Sequence, residues 1–377
     1  MNWPQGIRAG VASCGIKEDG LDVGVLVAGD PCAWAGVFTQ NAAAAAPVTW
    51  SKSLLGSSLK AIVANSGNAN ACTGRAGETA ARATALAASV ALGCEPHEIA
   101  LASTGPIGVE LPVDRLTTGV ESCVADLGAA PLDFARSIMT TDTKPKLVEA
   151  RCGSARVLGV AKGAAMIAPN MATMLAFVTT DAAVDATHLQ SCLSAAADAS
   201  FNRVSIDGCE STNDSVFALA TGRVGVAEEP FARCVEAVCV ELARQIACDA
   251  EGSARSMRIA IDGARSTQAA VAFGKGVASS ALWRTAVNGS DPNWGRIVAA
   301  LGSVDNALDL SEVEVSIGAE QVFSRGEPSG SLEAAAKQMK GSVVEISCRV
   351  GGGPGYAEVL SSDLSTDYVT LNAAGST

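Results

Sequence analysis

The centre of the chain reads Lys162-Gly-Ala-Ala-Met-Ile-Ala-Pro-Asn-Met-Ala-Thr173-Met-Leu-Ala-Phe-Val-Thr-Thr-Asp181, a small residue and then a threonine at the head of an apolar run. A threonine hydroxyl is a weak nucleophile without a base. A threonine that begins a chain carries its own base, the α-amine, whose unperturbed pKa of about 7.7–8.0 suits neutral pH. Before any cut the same hydroxyl could attack the Ala172 carbonyl, and a strained turn at Pro169 and Asn170 would favour the resulting ester. The segment has the make-up of a precursor that cleaves itself between Ala172 and Thr173. Taken alone it reads more readily as the start of a buried strand, since threonine is common in strands.

The scarcity of other bases sharpens the question. Only two histidines are present. His97, in Glu-Pro-His-Glu, and His188, in Ala-Thr-His-Leu-Gln, each read as helix starts, with no nucleophile or second ligand nearby in sequence. A histidine-rich zinc site is excluded and a Ser-His-Asp triad disfavoured, so a general base of another kind is expected. The 12 cysteines are scattered singly with no Cys-x-x-Cys pair, which reads as buried thiols in a reducing compartment. A net charge of -12 without a Lys/Arg cluster would repel a phosphate backbone, so nucleic acid is not an expected partner. There is no basic-then-apolar leader and no apolar run of about 18 residues. The expectation is a cytoplasmic protein that neither crosses nor binds a membrane.

The elements that must position this segment alternate between helix and strand. Hydrophobic residues make up 48% and charged residues 18% of 377 positions, enough apolar content for a large core, and the length suggests two linked domains. Helices are expected at 76–92 with Gly93 as the stop, at 187–199, and at 230–247. Strands are expected at 156–160, 175–179, 257–261, 313–317, 343–350 and 368–371. Gly351-Gly-Gly-Pro-Gly355 reads as a turn before a late strand. The class from periodicity is mixed α/β.

The segment around Thr173 resembles the processing segment of the bifunctional ornithine acetyltransferase / glutamate N-acetyltransferase family of arginine biosynthesis. Further blocks are similar and fall in the family's order: Val37-Phe-Thr39, Asn65-Ser-Gly-Asn-Ala-Asn-Ala-Cys-Thr-Gly74, Ser103-Thr-Gly105, Ile138-Met-Thr-Thr-Asp-Thr143, Phe201-Asn-Arg-Val-Ser-Ile-Asp-Gly208, Ser211-Thr-Asn-Asp214, Glu251-Gly252 and Asp291-Pro-Asn-Trp-Gly-Arg296. The resemblance implies a two-domain layered α/β fold. It implies cleavage into an α chain, 1–172, and a β chain, 173–377, which begins with the nucleophile Thr173. These chains would assemble as an α2β2 heterotetramer. Thr173 would take acetyl from N-acetylornithine as an ester and pass it to glutamate in a ping-pong cycle, with no metal or tightly bound cofactor and, in some members, with acetyl-CoA as an alternative donor. Thr104 and Gly105 match the family's oxyanion pair. Thr140, Lys162, Glu251, Asn372 and Thr377 match its substrate contacts.

Three positions depart from the pattern. Ala164-Ala165 stands where a glycine-containing pair is usual, which is costly if that turn needs positive φ. Ala250 replaces a glycine before Glu251. The tail Asn372-Ala-Ala-Gly-Ser-Thr377 lacks the usual acidic and aromatic residues. Asn213-Asp214 and Asp291–Arg296 read as architectural, with Arg296 expected to pair with a carboxylate. Two other functions remain in play at this level: an N-terminal-nucleophile amidase or aminopeptidase, in which water takes the acyl group, and an uncleaved protein that only binds amino acids.

Overall fold

In the computed structural model, which describes residues 1–167 and 174–374, the chain builds two mixed sheets. The first contains β1 (Ile7–Ala12), β2 (Val23–Phe38), β3 (Leu59–Ser66), β4 (Ile99–Thr104), β5 (Lys146–Cys152), β6 (Ala155–Lys162), β7 (Leu175–Ala183) and β8 (Ser215–Gly225). The second contains β9 (Ser256–Ala264), β10 (Glu314–Ile317), β11 (Glu320–Ser324), β12 (Glu327–Pro328), β13 (Val343–Arg349) and β14 (Gly355–Ser362). Their orders are β4-β3-β2-β8-β7-β6-β5, with β1 also on β2, and β12-β11-β10-β13-β9-β14.

The first sheet folds back on itself. β2 pairs with β3 through Val27, its register breaks between Val27 and Cys32, and from Ala33 to Phe38 it pairs with β8. Gly29-Asp30-Pro31 lies at that break, where the strand turns from one layer into the next. The result is a sandwich. Leu26, Ile62, Ala64, Ala100 and Ala102 of one layer pack on Phe177, Phe217 and Leu219 of the other. Alternate residues face outward: Val25, Val63 and Leu101 meet the helices Gly74–Leu92 and Val113–Ala125, and Ala176, Val178 and Ala218 meet Ala186–Ala199 and Glu228–Cys248. Strands buried on both faces explain the continuous apolar run after Thr173. The second sheet packs on the helix Thr267–Ala278 and its neighbours. It joins the first unit where Leu360 accepts the Ser205 N–H at 2.9 Å and Ser361 Oγ donates to the Ser205 carbonyl at 2.6 Å.

The expected helices and the first five expected strands occur, with Gly93 capping its helix at φ 66°. Residues 368–371 do not form a strand; they lie within the helix Thr366–Ala374. Ser365 Oγ accepts the Tyr368 N–H at 3.0 Å and caps the first turn, and that capping outweighs the β preference of four residues. Among the described residues no helix is long and apolar enough to cross a membrane.

Candidate active site

One rim of the sandwich gathers strand ends from both layers. β4 ends at the buried Thr104, paired in register with Ser66 of β3. The chain then turns at Gly105 with φ 140°, and a Cβ there would lie 2.4 Å from Asn68 N and 2.5 Å from Gly67 C. Only glycine fits that approach. The Asn-rich loop after β3 is held by its own side chains: Ser103 Oγ donates to Asn65 Oδ1 at 2.6 Å, and Asn65 Nδ2 donates to the Asn68 carbonyl at 2.9 Å. Asn213 ties this layer to the next, its Nδ2 donating to the carbonyls of Ala69 (2.6 Å) and Ser103 (2.9 Å).

Lys162 ends β6 in the other layer, fully buried, and its Nζ donates to Thr104 Oγ1 at 3.1 Å. β4 and β6 are far apart in strand order, and their ends meet because the sheet is folded face to face. Burial pushes the Lys162 ammonium below its ordinary pKa, with Lys146 adding to the effect and Asp142, Asp214 and Glu251 opposing it. Beneath it lies a buried ion triad: Lys146 Nζ is 2.6 Å from both Asp142 Oδ1 and Asp249 Oδ2. Asp142 also accepts the N–H groups of Gly163 (2.7 Å) and Thr140 (3.1 Å). For Asp142 burial is the largest influence and works upward, yet Lys162, Lys146 and the Gly163 N–H together hold the carboxyl below its ordinary value. The triad fixes the loop carrying Thr140 and the end of the helix that precedes Glu251. Glu251 N donates to the Ala164 carbonyl at 2.8 Å.

Two more aspartates grip the chain on either side of residues 168–173. Asp207 accepts the N–H groups of Met166 and Ile167 and that of Cys209 (3.1 Å). Asp214 Oδ1 accepts the Met174 N–H at 3.0 Å, and Oδ2 has no hydrogen-bond partner among the described residues. Burial pushes the Asp214 carboxyl well above the usual carboxylate range, against the Met174 N–H, Lys162 and Ser211. The helix Thr366–Ala374 closes the rim. Asn372 Nδ2 donates to Glu251 Oε2 at 2.9 Å, and Tyr368 OH lies 3.5 Å from Asp207 Oδ2.

Thr104, Gly105, Thr140, Lys162 and Asn372 line one cavity of about 130 Å³, with Thr141, Met166, Asp207, Asn213 and Tyr368. Glu251 touches it through Asn372. Ala172, Thr173 and Thr377 lie outside the described residues. The alanines at 164 and 165 are not in the left-handed region; positive φ falls on Gly163 (157°) and Met166 (55°), so the turn carries no alanine strain. Ala250 likewise avoids positive φ and is buried in the core against the helix Glu228–Cys248. Arg296 donates to the Leu282 carbonyl and lies 3.4 Å from Thr285 Oγ1, not against a carboxylate. Asn213 lines the cavity as well as tying the layers, while Asp214 remains architectural through its hold on Met174. Asp207, Asp142 and Tyr368 join the site without any individual signal in the sequence. Among the described residues no group of three His, Cys, Asp or Glu could hold a metal ion.

The fold and the site together define a layered α/β enzyme whose cavity offers the buried cation of Lys162, the carboxylate of Asp207 and a glycine turn suited to an oxyanion. Comparison with known proteins gives the family. The profile of the ArgJ family matches residues 8–377. The arginine biosynthesis bifunctional protein ArgJ of Thermus thermophilus is 41% identical over 99% of this chain and 98% of its own. That of Mycolicibacterium paratuberculosis is 43% identical over 98% and 95%. The crystal structure of the Bacillus halodurans protein of the same name is 35% identical with a TM-score of 0.51, covering 53% of this chain and 98% of the solved one. The chain belongs to the ArgJ family. The acetyltransferase reading within arginine biosynthesis is thereby supported over the amidase and binding-protein readings.

Proposed function

We propose that the chain cleaves itself between Ala172 and Thr173 and that Thr173 then carries acetyl from N-acetylornithine to glutamate. The observation that carries this reading is the meeting of Thr104, Gly105, Thr140, Lys162 and Asn372 in one cavity, at the end of β6 that faces the start of β7, where Lys162 and Leu175 are register partners. In the reaction, Thr173 Oγ1 adds to the amide carbonyl while the α-amine takes its proton. On this reading the turn at Gly105 and the Thr104 hydroxyl supply the donors that an oxyanion needs. Collapse expels ornithine, which leaves with that proton, and acetyl remains as an ester. The glutamate amine attacks the ester and N-acetylglutamate departs.

Ornithine ends in an ammonium and glutamate in a carboxylate, so a shared cavity must offer both signs. Glu251 and Lys162 supply them. The α chain 1–172 and the β chain 173–377 stay together as an α2β2 assembly in the cytoplasm, without a tightly bound cofactor. Acetyl-CoA enters as an alternative acetyl donor. The half-length match to the solved Bacillus halodurans chain supports division of the chain. The test is the mass of freshly made protein under denaturing conditions, beside Thr173→Ala. Two fragments meeting at 172/173, absent in the variant, are expected; an intact wild-type chain refutes the reading. Acetyl release from N-acetylornithine without glutamate would favour the amidase.

A further inference from the structure

Glutamate carries two carboxylates, whereas N-acetylornithine carries one carboxylate and one ammonium. Among the described residues that line the cavity, Lys162 is the one cation and Asp207 the one carboxylate. On the acetyl-transfer reading, on which this inference rests, the ammonium meets Asp207, and Glu251 behind Asn372. Lys162 answers one carboxylate of glutamate. The other has no cation to meet among the lining residues, and an ionised Asp207 would repel it. A neutral donor must hold that carboxylate, and the charge on Asp207 must be removed while it is there.

Tyr368 stands where both requirements meet. The helix Thr366–Ala374 buries none of its residues, so polar contacts place it. Its cap, Ser365, donates to the Gly252 carbonyl, and a Cβ on Gly252 (φ 64°) would lie 2.3 Å from Tyr368 N, so only glycine lets the helix start there. Tyr368 and Asn372, one turn apart, both line the cavity. Asn372 Nδ2 holds Glu251 Oε2 at 2.9 Å and the Tyr368 carbonyl at 3.0 Å. The half-buried Tyr368 hydroxyl lies 3.5 Å from Asp207 Oδ2. That distance is at the outer limit of a hydrogen bond, so the O–H is not committed to Asp207 and is free to turn.

We propose that Tyr368 is the specificity residue that lets one cavity take both substrates, by turning its O–H between Asp207 and a substrate carboxylate. With N-acetylornithine, Asp207 is ionised, the hydroxyl donates to it, and the phenolic oxygen accepts from the ammonium. With glutamate, Asp207 takes a proton from solvent and donates it to the phenolic oxygen, while the Tyr368 O–H donates to the carboxylate. The two hydrogen bonds run in one direction and strengthen each other. Burial pushes the Asp207 carboxyl above its ordinary value, so it takes up a proton more readily than a surface carboxylate. Asp207 faces the N–H groups of Met166 and Ile167 from the loop after β6, that of Cys209 from its own loop, Tyr368 from the last helix, and the charge of Arg284 from the helix Ala281–Gly289. Arg284 donates to the Ser362 and Asp363 carbonyls. Tyr368 itself faces Asp207, Cys209, Arg284 and Glu251.

The test takes the two half-reactions of the full protein separately: loading of acetyl from N-acetylornithine, read by protein mass, and discharge of the loaded protein by glutamate. Tyr368→Phe keeps the ring and loses the hydroxyl. The glutamate concentration for half-maximal discharge is expected to rise about tenfold or more, the worth of a hydrogen bond to a charged group. A clearly smaller rise is expected for N-acetylornithine, whose ammonium still meets Asp207. Asp207→Asn is expected to give the opposite split, because its amide donates to Tyr368 as the protonated acid does. The second readout is calorimetry of the unacetylated protein with glutamate and with ornithine, in buffers of different ionisation heat. Glutamate is expected to bring a net uptake of protons relative to ornithine, lost in Asp207→Asn and reduced in Tyr368→Phe. An equal rise for both substrates in Tyr368→Phe, no rise for either, or equal proton uptake with glutamate and ornithine in wild type overturns the assignment. If Asp207→Asn does not fold, Tyr368→Phe decides by both readouts. A wild-type protein that neither loads acetyl nor discharges it to glutamate overturns the acetyl-transfer reading and this assignment with it; a wild-type protein that does both, beside a Tyr368→Phe without the split, overturns this assignment alone.

Discussion

Lys146→Met tests whether the buried triad holds the site together. The Lys146 ammonium sits 2.6 Å from both Asp142 and Asp249, with side-chain exposures of 2%, 0% and 8%. Removing one member of a buried ion network costs about 3–5 kcal/mol, because the remaining charge is left uncompensated. Asp142 would retain the Gly163 N–H and the charge of Lys162, and Asp249 would retain Thr143 and the Lys144 N–H. The lower end, about 3 kcal/mol, is therefore expected, a fall in Tm of roughly 4 °C for a chain of this length. The assay is thermal and urea unfolding in a Thr173→Ala background, where a single chain unfolds. The pH dependence adds a second test. In the parent, Asp142 is held below its ordinary pKa, so its contribution is present above the unfolded value and lost as pH falls through the folded one. In the variant, burial, the largest influence on Asp142, is less opposed; its penalty applies above the unfolded value and vanishes on protonation. The stability gap between parent and variant must shrink on acidification. A gap below about 1 kcal/mol at neutral pH, or one that widens in acid, refutes the reasoning.

Gly105→Ala must displace backbone at Asn68 and Gly67, so kcat for acetyl transfer is expected to fall about 10²–10³-fold, read by steady-state kinetics beside a thermal melt. Asn372→Ala removes the hydrogen bond to Glu251, and a loss of about 1 kcal/mol should appear as a roughly fivefold rise in KM with kcat little changed; an unchanged KM would remove Asn372 from substrate binding.

The sequence makes plain those elements whose pattern is local. The helix ending at Gly93 carries its own stop, and β6, β7, β9, β10 and β13 are short apolar runs bounded by turns. β2 escapes such a reading because Gly29-Asp30-Pro31 looks like a break; it is the bend by which one strand serves two layers. The helix at 366–374 looks like a strand because its cap, Ser365, lies outside the β-prone window and depends on Gly252, whose carbonyl accepts the Ser365 hydroxyl. At the site, glycine at 105 and lysine at 162 stand out through the resemblance. Asp207 and Asp214 fall in blocks of the same resemblance but carry no sign of their roles, because their partners are backbone N–H groups about 40 residues away. Hydrogen bonds to the main chain leave no mark on residue type at the partner position.

The proposed break between Ala172 and Thr173 divides the chain without dividing the fold. β6 and β7 lie on opposite sides of it and pair antiparallel from Val157 with Thr180 to Lys162 with Leu175. β7 pairs in turn with β8, and β8 with the far half of β2. The order of strands across the sandwich is thus α chain, β chain, α chain, and the layer that contains β5 to β8 and the far half of β2 is built from both products. Opening the peptide bond between Ala172 and Thr173 removes none of these ladders. What it adds is an ammonium and a carboxylate, and the described residues on either side of the segment already carry charge in Lys162, Asp142, Asp207 and Asp214. A fold can tolerate such a cut only where strand pairing, not chain connectivity, holds both sides in place, and the loop between β6 and β7 meets that condition.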